Sequence, residues 1–189
     1  MKFLKIMIRI IAFILFSPHL LIFIFSKNKE IIIADLYSRS SEKSQNYIVT
    51  LSDLTYKLFN DRYYRTLFYF RESGFFTKLL RIFYPRERFF IIDMHTKIGK
   101  GVQLAHPYST ILNAENIGDN LYINHLVTVG EKNGKRPIIG NDVQLHAGSM
   151  IIGGITIGDN AIVGAGAVVI KDLPANAIAV GNPARIILR

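Results

Sequence analysis

Three of the five histidines, His106, His125 and His146, fall in the stretch where glycine, asparagine and aliphatic residues recur most regularly. Imidazole titrates near neutrality, so a histidine can take a proton from a hydroxyl and deliver it elsewhere within one reaction. The same ring ligates metals, and histidines stacked at a regular spacing could hold an ion. The chain has no cysteine, which removes disulfides, thiolate metal sites and a cysteine nucleophile together. Proton transfer and imidazole–metal chemistry are the two possibilities that the surrounding elements must position.

Those elements follow a period of six. Aliphatic residues return at Ile98, Leu104, Ile111, Ile117, Ile123 and Val129, then at Ile139, Leu145, Ile151, Ile157, Val163 and Val169. Four places after many of them stands a small or β-branched residue, as at Val102, Val127, Val143, Ser149, Ala161 and Ala167. Gly-Asp-Asn at 118–120 and 158–160 supplies residues that tolerate the positive φ of tight corners. A period of six excludes the 3.6 of an α-helix, and simple alternation would not place glycine or asparagine at fixed intervals. Short strands joined by sharp corners fit. Stacked in parallel on themselves they make a β-helix, in which each turn buries its aliphatic residue over the one below. Three hexads close a triangular coil, which predicts about four coils. One extra residue precedes Ile111, and four more, Lys135 to Ile138, form an extruded loop between the hexads that start at Val129 and Ile139. Loops leaving a rigid solenoid are where sites tend to lie. Counted in hexads, His106 and His125 share one face in successive coils, about 4.8 Å apart along the stack, with His146 close to the same column.

The run from Asp93 to Arg185 resembles the hexapeptide-repeat acyltransferases, and within them the serine acetyltransferase-like branch with its relatives that modify surface polysaccharides. The hexads carry the resemblance, together with Gly164-Ala165-Gly166-Ala167-Val168-Val169, Lys171-Asp172-Leu173-Pro174 and Gly181-Asn182-Pro183-Ala184-Arg185. It implies a left-handed parallel β-helix, a departure from the right-handed crossover rule. It further implies a homotrimer with active sites between neighbouring coils, acetyl-CoA as co-substrate and no metal. Carried over residue by residue, it makes His106, in Leu104-Ala105-His106-Pro107, the general base and Asp93 the carboxylate that orients it. The stretch between those two is two residues shorter than in the serine enzymes. The pantetheine arm is expected beside Ala147 and Ala165, with Gly148 and Gly166 at the same tight corner and Lys171 and Arg185 placed to meet CoA phosphates.

Two departures bear on the acceptor. Lys135-Arg136-Pro137 stands where the serine enzymes carry Arg-His-Pro, and His125 stands where the family usually has glutamine, so Arg136 and His125 are the substrate-contacting candidates. The chain also ends soon after Arg185, without the tail through which many serine enzymes sense cysteine, and feedback inhibition by cysteine is not expected. These departures lead to the expectation of acetyl transfer to a sugar hydroxyl during surface-glycan assembly. Serine O-acetylation is the alternative. A metal-dependent hydratase or a non-catalytic scaffold is the reading from another class, although the histidine spacing of the β-helical carbonic anhydrases is absent.

Ahead of the solenoid the composition changes. The net charge of +9 is concentrated in residues 1–95, with 15 Lys/Arg against 8 Asp/Glu, whereas 96–189 carry 8 against 6. Lys2, Lys5 and Arg9 border an apolar run from Ile10 to Phe25, which favours an anionic membrane surface over nucleic acid as the partner. That run is shorter than the ~20 residues of a spanning helix and no small-residue cleavage site follows it. Ser17-Pro18 at its middle predicts two short helices hinged into one leaflet, similar to the helix, Ser-Pro, helix hairpin of monotopic phosphoglycosyl transferases. The expected location is the cytoplasm or the cytoplasmic face of a membrane. Residues 28–90 read as helical, with Thr50 or Ser52 as a cap, Gly74 as a separator, and Ile31, Leu36, Leu51, Leu54, Leu58, Phe68, Phe75, Leu79 and Phe83 as buried positions. The expected division is 1–27 membrane hairpin, 28–90 helical region and 91–189 β-helix.

Overall fold

The computed structural model describes residues 2–38, 44 and 46–188, which fall into two compact units, Met1–Glu87 and Arg88–Arg189. The second unit is a parallel β-solenoid with three faces. The first face stacks β1 (Phe90–Ile92), β4 (Thr110–Leu112), β7 (Thr128–Gly130), β10 (Met150–Ile152) and β13 (Val168–Val169). The second stacks β2 (Lys97–Ile98), β5 (Asn116–Ile117), β8 (Ile138–Ile139) and β11 (Thr156–Ile157). The third stacks β3 (Gln103–Leu104), β6 (Tyr122–Ile123), β9 (Gln144–Leu145), β12 (Ile162–Val163) and β14 (Ala177–Val180), and ends in β15 (Arg185–Leu188), which runs antiparallel to β14.

There are about five turns where hexad counting predicts four, because β1 opens a turn ahead of Ile98 and β14 closes one beyond Val169. Leu104, Ile117, Ile123, Val129, Ile139, Leu145, Ile151, Ile157 and Val163 stack in the core as their period requires. Ile111 does not. Leu104 shares register with Ile123 and Leu112 with Val129, so the first stretch is two residues longer than the second, and Leu112 points inward while Ile111 is 43% exposed. The insertion is therefore two residues, and the following side, Leu112 to Ile117, is one residue short of six.

The Gly-Asp-Asn corners have a mechanical reason. Asp119 Oδ1 accepts the Lys100 N–H at 2.9 Å, Asn141 Oδ1 accepts the Asp119 N–H at 2.9 Å, and Asp159 Oδ1 accepts the Asn141 N–H at 2.7 Å. Each carboxylate or amide satisfies a backbone donor of the coil before it, a donor that the tight corner would otherwise leave unpaired. The glycine that precedes each corner gives this ladder room, since a Cβ at Gly99 or Gly140 would collide with the Asp119 or Asp159 carboxylate.

The first unit holds α1 (Lys2–Leu15), α2 (Ser17–Phe25), α3 (Lys29–Leu36), α4 (Tyr47–Asn60), α5 (Arg62–Arg71) and α6 (Phe75–Phe83). The predicted hinge is present: α1 and α2 meet at 63°, and Pro18 sits in the first turn of α2, where a missing N–H costs nothing. Among the described residues no single helix is long and apolar enough to cross a membrane. The cap of α4 is Asn46, whose Oδ1 accepts from Ile48 and Val49, so Thr50 and Ser52 lie inside the helix. Arg65 closes the other end, donating to the carbonyls of Leu58 and Phe59 at 2.8 and 3.1 Å. Leu54, Leu58 and Phe68 are buried as expected, but Phe75, Leu79 and Phe83 are exposed.

Candidate functional site

The corner from the third face to the first changes in chemical character from coil to coil. In successive coils it reads Ala105-His106-Pro107-Tyr108-Ser109, Asn124-His125-Leu126, His146-Ala147-Gly148 and Gly164-Ala165-Gly166. Ser109, Leu126, Gly148 and Gly166 all adopt positive φ, between +53° and +70°, so the corner itself demands a left-handed residue in every coil. The N–H of Leu126 donates to Tyr108 O, that of Gly148 to His125 O and that of Gly166 to Ala147 O, at 2.8, 3.0 and 2.9 Å. These bonds define a column Tyr108, His125, Ala147, Ala165, in which large side chains give way to methyl groups.

His106 stands outside that column. The expected stacking of His106 over His125 is corrected here, because His106 and Pro107 are the two inserted residues and Tyr108 takes the place above His125. His106 has φ +55° and is exposed, while Pro107 is buried beneath it. Tyr108 donates its N–H back to His106 O at 2.7 Å, which fixes the turn. A left-handed conformation costs a non-glycine residue about 1 kcal/mol or more, and such strain persists only where neighbours enforce it. The His106 side chain has no hydrogen-bond partner among the described residues, so both ring nitrogens are open to a ligand.

His125 is held differently. Asn124 Oδ1 accepts its backbone N–H at 2.8 Å and lies 2.6 Å from Nδ1. With a carbonyl oxygen there, the neutral ring carries its proton on Nδ1 and offers Nε2 as an acceptor. His146 packs its ring against Tyr122, with centroids 5.6 Å apart. No group of three or more His, Asp or Glu that could hold a metal occurs among the described residues.

Asp93 follows β1, at the far end of the first face from His106. Its Oδ1 accepts the His95 N–H at 2.9 Å, lies 3.3 Å from His95 Nδ1 and 3.9 Å from an Arg136 guanidinium nitrogen. Within one chain the structure thus gathers Asp93, His95 and Arg136, and leaves His106 apart from them.

Arg136 is carried by a small hairpin, not by an open loop. Lys132 and Lys135 exchange backbone hydrogen bonds at 3.0 and 3.1 Å across Asn133-Gly134, both at positive φ, the geometry of a two-residue primed turn. The extruded residues are therefore 131–136, a few positions ahead of the expected 135–138. Gly153-Gly154 seats the hairpin: a Cβ on Gly154 would stand 2.7 Å from Lys135 Cβ. That glycine pair, two small residues side by side within the hexad that starts at Ile151, was the available signal for a neighbour packed against the coil.

Among the proposed CoA-contacting positions, Ala147 and Gly148 are half-buried, and Ala165 and Gly166 are exposed on the bare part of the corner. A side chain at Gly166 would meet nothing within 4 Å, so open space remains beside it. Lys171 and Arg185 are exposed at the last turn, and Lys171 borders a hollow of about 270 Å³ with Ile170, Pro183 and Ala184.

Residues 136–171 match the family model of the bacterial transferase hexapeptide (six repeats). Over 105 residues the chain is 46% identical to serine acetyltransferase 1, chloroplastic, of Arabidopsis thaliana, covering 52% of this chain and 33% of that protein. Over the same length it is 39% identical to a serine acetyltransferase of Helicobacter pylori, covering 52% of this chain and 61% of that protein. The chain thus spans a third to three-fifths of the length of these relatives. Among solved structures, soybean serine acetyltransferase complexed with serine is 29% identical with a TM-score of 0.61, over 84% of this chain and 69% of that one. Its apoenzyme is 30% identical with a TM-score of 0.55, over 84% and 68%. These similarities overturn the expectation of a glycan sugar as acceptor, since the relatives are serine acetyltransferases and support the alternative instead.

Proposed function

Because the chain belongs to the hexapeptide-repeat acyltransferases, on their serine acetyltransferase-like branch, we propose that it transfers the acetyl group of acetyl-CoA to the hydroxyl of serine. The observation that carries this reading is His106, strained and unpartnered on a two-residue insertion, at the corner where the later coils are stripped to Ala147-Gly148 and Ala165-Gly166. The narrow corner suits an extended thioester arm lying against the backbone, with Lys171 and Arg185 available to its phosphates at the last turn. His106 takes the proton from the serine Oγ as that oxygen attacks the thioester carbonyl. The tetrahedral adduct then expels the thiolate, and the imidazolium returns the proton to sulfur. No enzyme-linked intermediate is needed.

Arg136, poised by Asp93 on the hairpin, supplies a cation for the serine carboxylate, and His125 Nε2 lines the same corner. The protein works as a homotrimer. Support comes from the outward column of the first face, where Ile91, Ile111 and Met150 share register around Thr128 and are each more than 40% exposed. Residues 10–25 attach the enzyme to a membrane surface. The test is direct: incubation with acetyl-CoA and serine gives O-acetylserine by mass spectrometry, and absence of that product at any enzyme concentration overturns the assignment.

A further inference from the structure

The first unit exposes apolar side chains in an unusual place. The residues of α6 at positions 75, 76, 79, 82 and 83 occupy one arc of about 120° on a helical wheel, which is the signature of a face made to be buried. Yet Phe75, Phe76, Ile82 and Phe83 are each more than 70% exposed, while Thr77 on the opposite side is the buried residue. The helix is amphipathic with its apolar side turned away from its own unit.

The same holds for α1 and α2. Only a narrow stripe of α1, including Ala12, packs against the unit, and Phe3, Leu4, Ile6, Met7, Ile10, Phe13 and Ile14 are exposed around the rest of it. On α2, Leu21 and Phe25 are exposed and border an apolar groove of about 510 Å³ shared with Phe75, Phe76 and Leu79 of α6. α2 and α6 therefore share one apolar surface through the groove, and α1 adjoins α2 across the 63° bend.

We propose that α1, α2 and α6 together form a platform that enters one leaflet of an anionic bilayer, with α6 lying in the interfacial plane. This rests on the reading that residues 10–25 contact a membrane, and it extends the contact to a helix 50 residues further on that the apolar run does not include. Three observations select lipid. The exposed apolar side chains of α1 sweep about 200° of its wheel, wider than the single stripe a partner helix covers, while Lys5 and Arg9 fall on the remaining side, where Arg9 pairs with Asp53. At about 21 and 14 Å, α1 and α2 are each too short for a ~30 Å hydrocarbon core, and their 63° bend is the geometry of a re-entrant loop. Finally, residues 1–87 carry 14 Lys/Arg against 7 Asp/Glu, and Lys78 flanks the apolar arc of α6 where a headgroup phosphate would lie. A second copy would bring the same positive excess against the first.

Full-length protein is mixed with sedimentable vesicles of phosphatidylcholine alone or with added phosphatidylglycerol. Wild type is expected to pellet with both and more tightly with the anionic vesicles. F76E/I82E in α6 and L21E/I24E in α2 should each lower partitioning by at least about tenfold, and K78E should weaken binding only to the anionic vesicles. Unchanged acetyl transfer in detergent reports that the variants fold. If F76E/I82E pellets like wild type while L21E/I24E stays in solution, the platform is wrong and the hairpin reading survives. If wild type itself ignores vesicles, the hairpin reading fails with it. A soluble wild-type assembly that F76E/I82E dissociates would instead show that another copy of the chain covers the face, and would also overturn the proposal.

Discussion

The solenoid and the helical unit bury apolar residues by different rules. In the solenoid a side chain meets the one a coil above and a coil below, so the inside is defined by the chain's own repetition. In the helical unit the period of 3.6 states which residues share a face and is silent on what that face meets. Ile139, Leu145 and Ile151 had only one place to go, whereas Phe75, Leu79 and Phe83 were equally consistent with a core and with an outward face. The proposed chemistry lies on the self-defined part, and the proposed docking surface on the other.

The sharpest way to separate the two is to remove the proposed base. H106A should lose about two to four orders of magnitude in kcat, the usual contribution of general base catalysis, with thermal unfolding and vesicle binding unchanged. A loss below about threefold would take the proton step away from His106. H125Q should be mild, since glutamine keeps an acceptor at the corner.

His19 offers the opposite test, confined to the helical unit. It is fully buried, its Nε2 is 2.8 Å from Tyr69 Oη, and Tyr69 donates onward to Tyr84 O, so Nε2 carries the proton and Nδ1 is left without a partner. Burial, helped by the nearby Arg65 charge, lowers its pKa to about 4 from 6.5. The native ring is neutral, and between pH 6.5 and 4 the unfolded chain takes up a proton that the folded one does not. Stability should fall by about 3 kcal/mol as pH drops through that window, with no contribution above it. H19L should flatten the dependence in denaturant titrations. A profile equally steep in H19L would assign the effect to other groups.

A smaller effect is expected at the hairpin seat. G154V should displace Lys135 and with it Arg136, raising KM for serine by about tenfold while leaving KM for acetyl-CoA near its wild-type value. Equal changes in both constants would mean that the coil itself had been disturbed. Smallest is the corner ladder, where N141A removes one acceptor for the Asp119 N–H at an exposed edge and should cost about 1 kcal/mol in the solenoid transition only. A shift in the helical unit's transition would contradict the independence of the two.

Much of the solenoid was legible before the structure. Twelve aliphatic positions at one period are enough to determine a β-helix, and all twelve lie in a strand of the structure, although Ile111 points outward; the glycine and asparagine corners follow from the demand for positive φ. His106 was singled out through the resemblance, which puts the general base in Leu104-Ala105-His106-Pro107, and the irregularity of the repeat lies at that same place. Its size was misread, since a two-residue insertion followed by a one-residue deficit looks like a single extra residue when only spacing is counted. That compensation also moved Tyr108 above His125 and set Asp93 beside Arg136, contacts between coils that no count along the chain contains. Local periodicity determined which residues stack, because stacking repeats the same short-range geometry in every turn. Only the tertiary structure decided which corner is open, which loop reaches which coil and which helix faces outward, because these depend on the register between segments far apart in sequence.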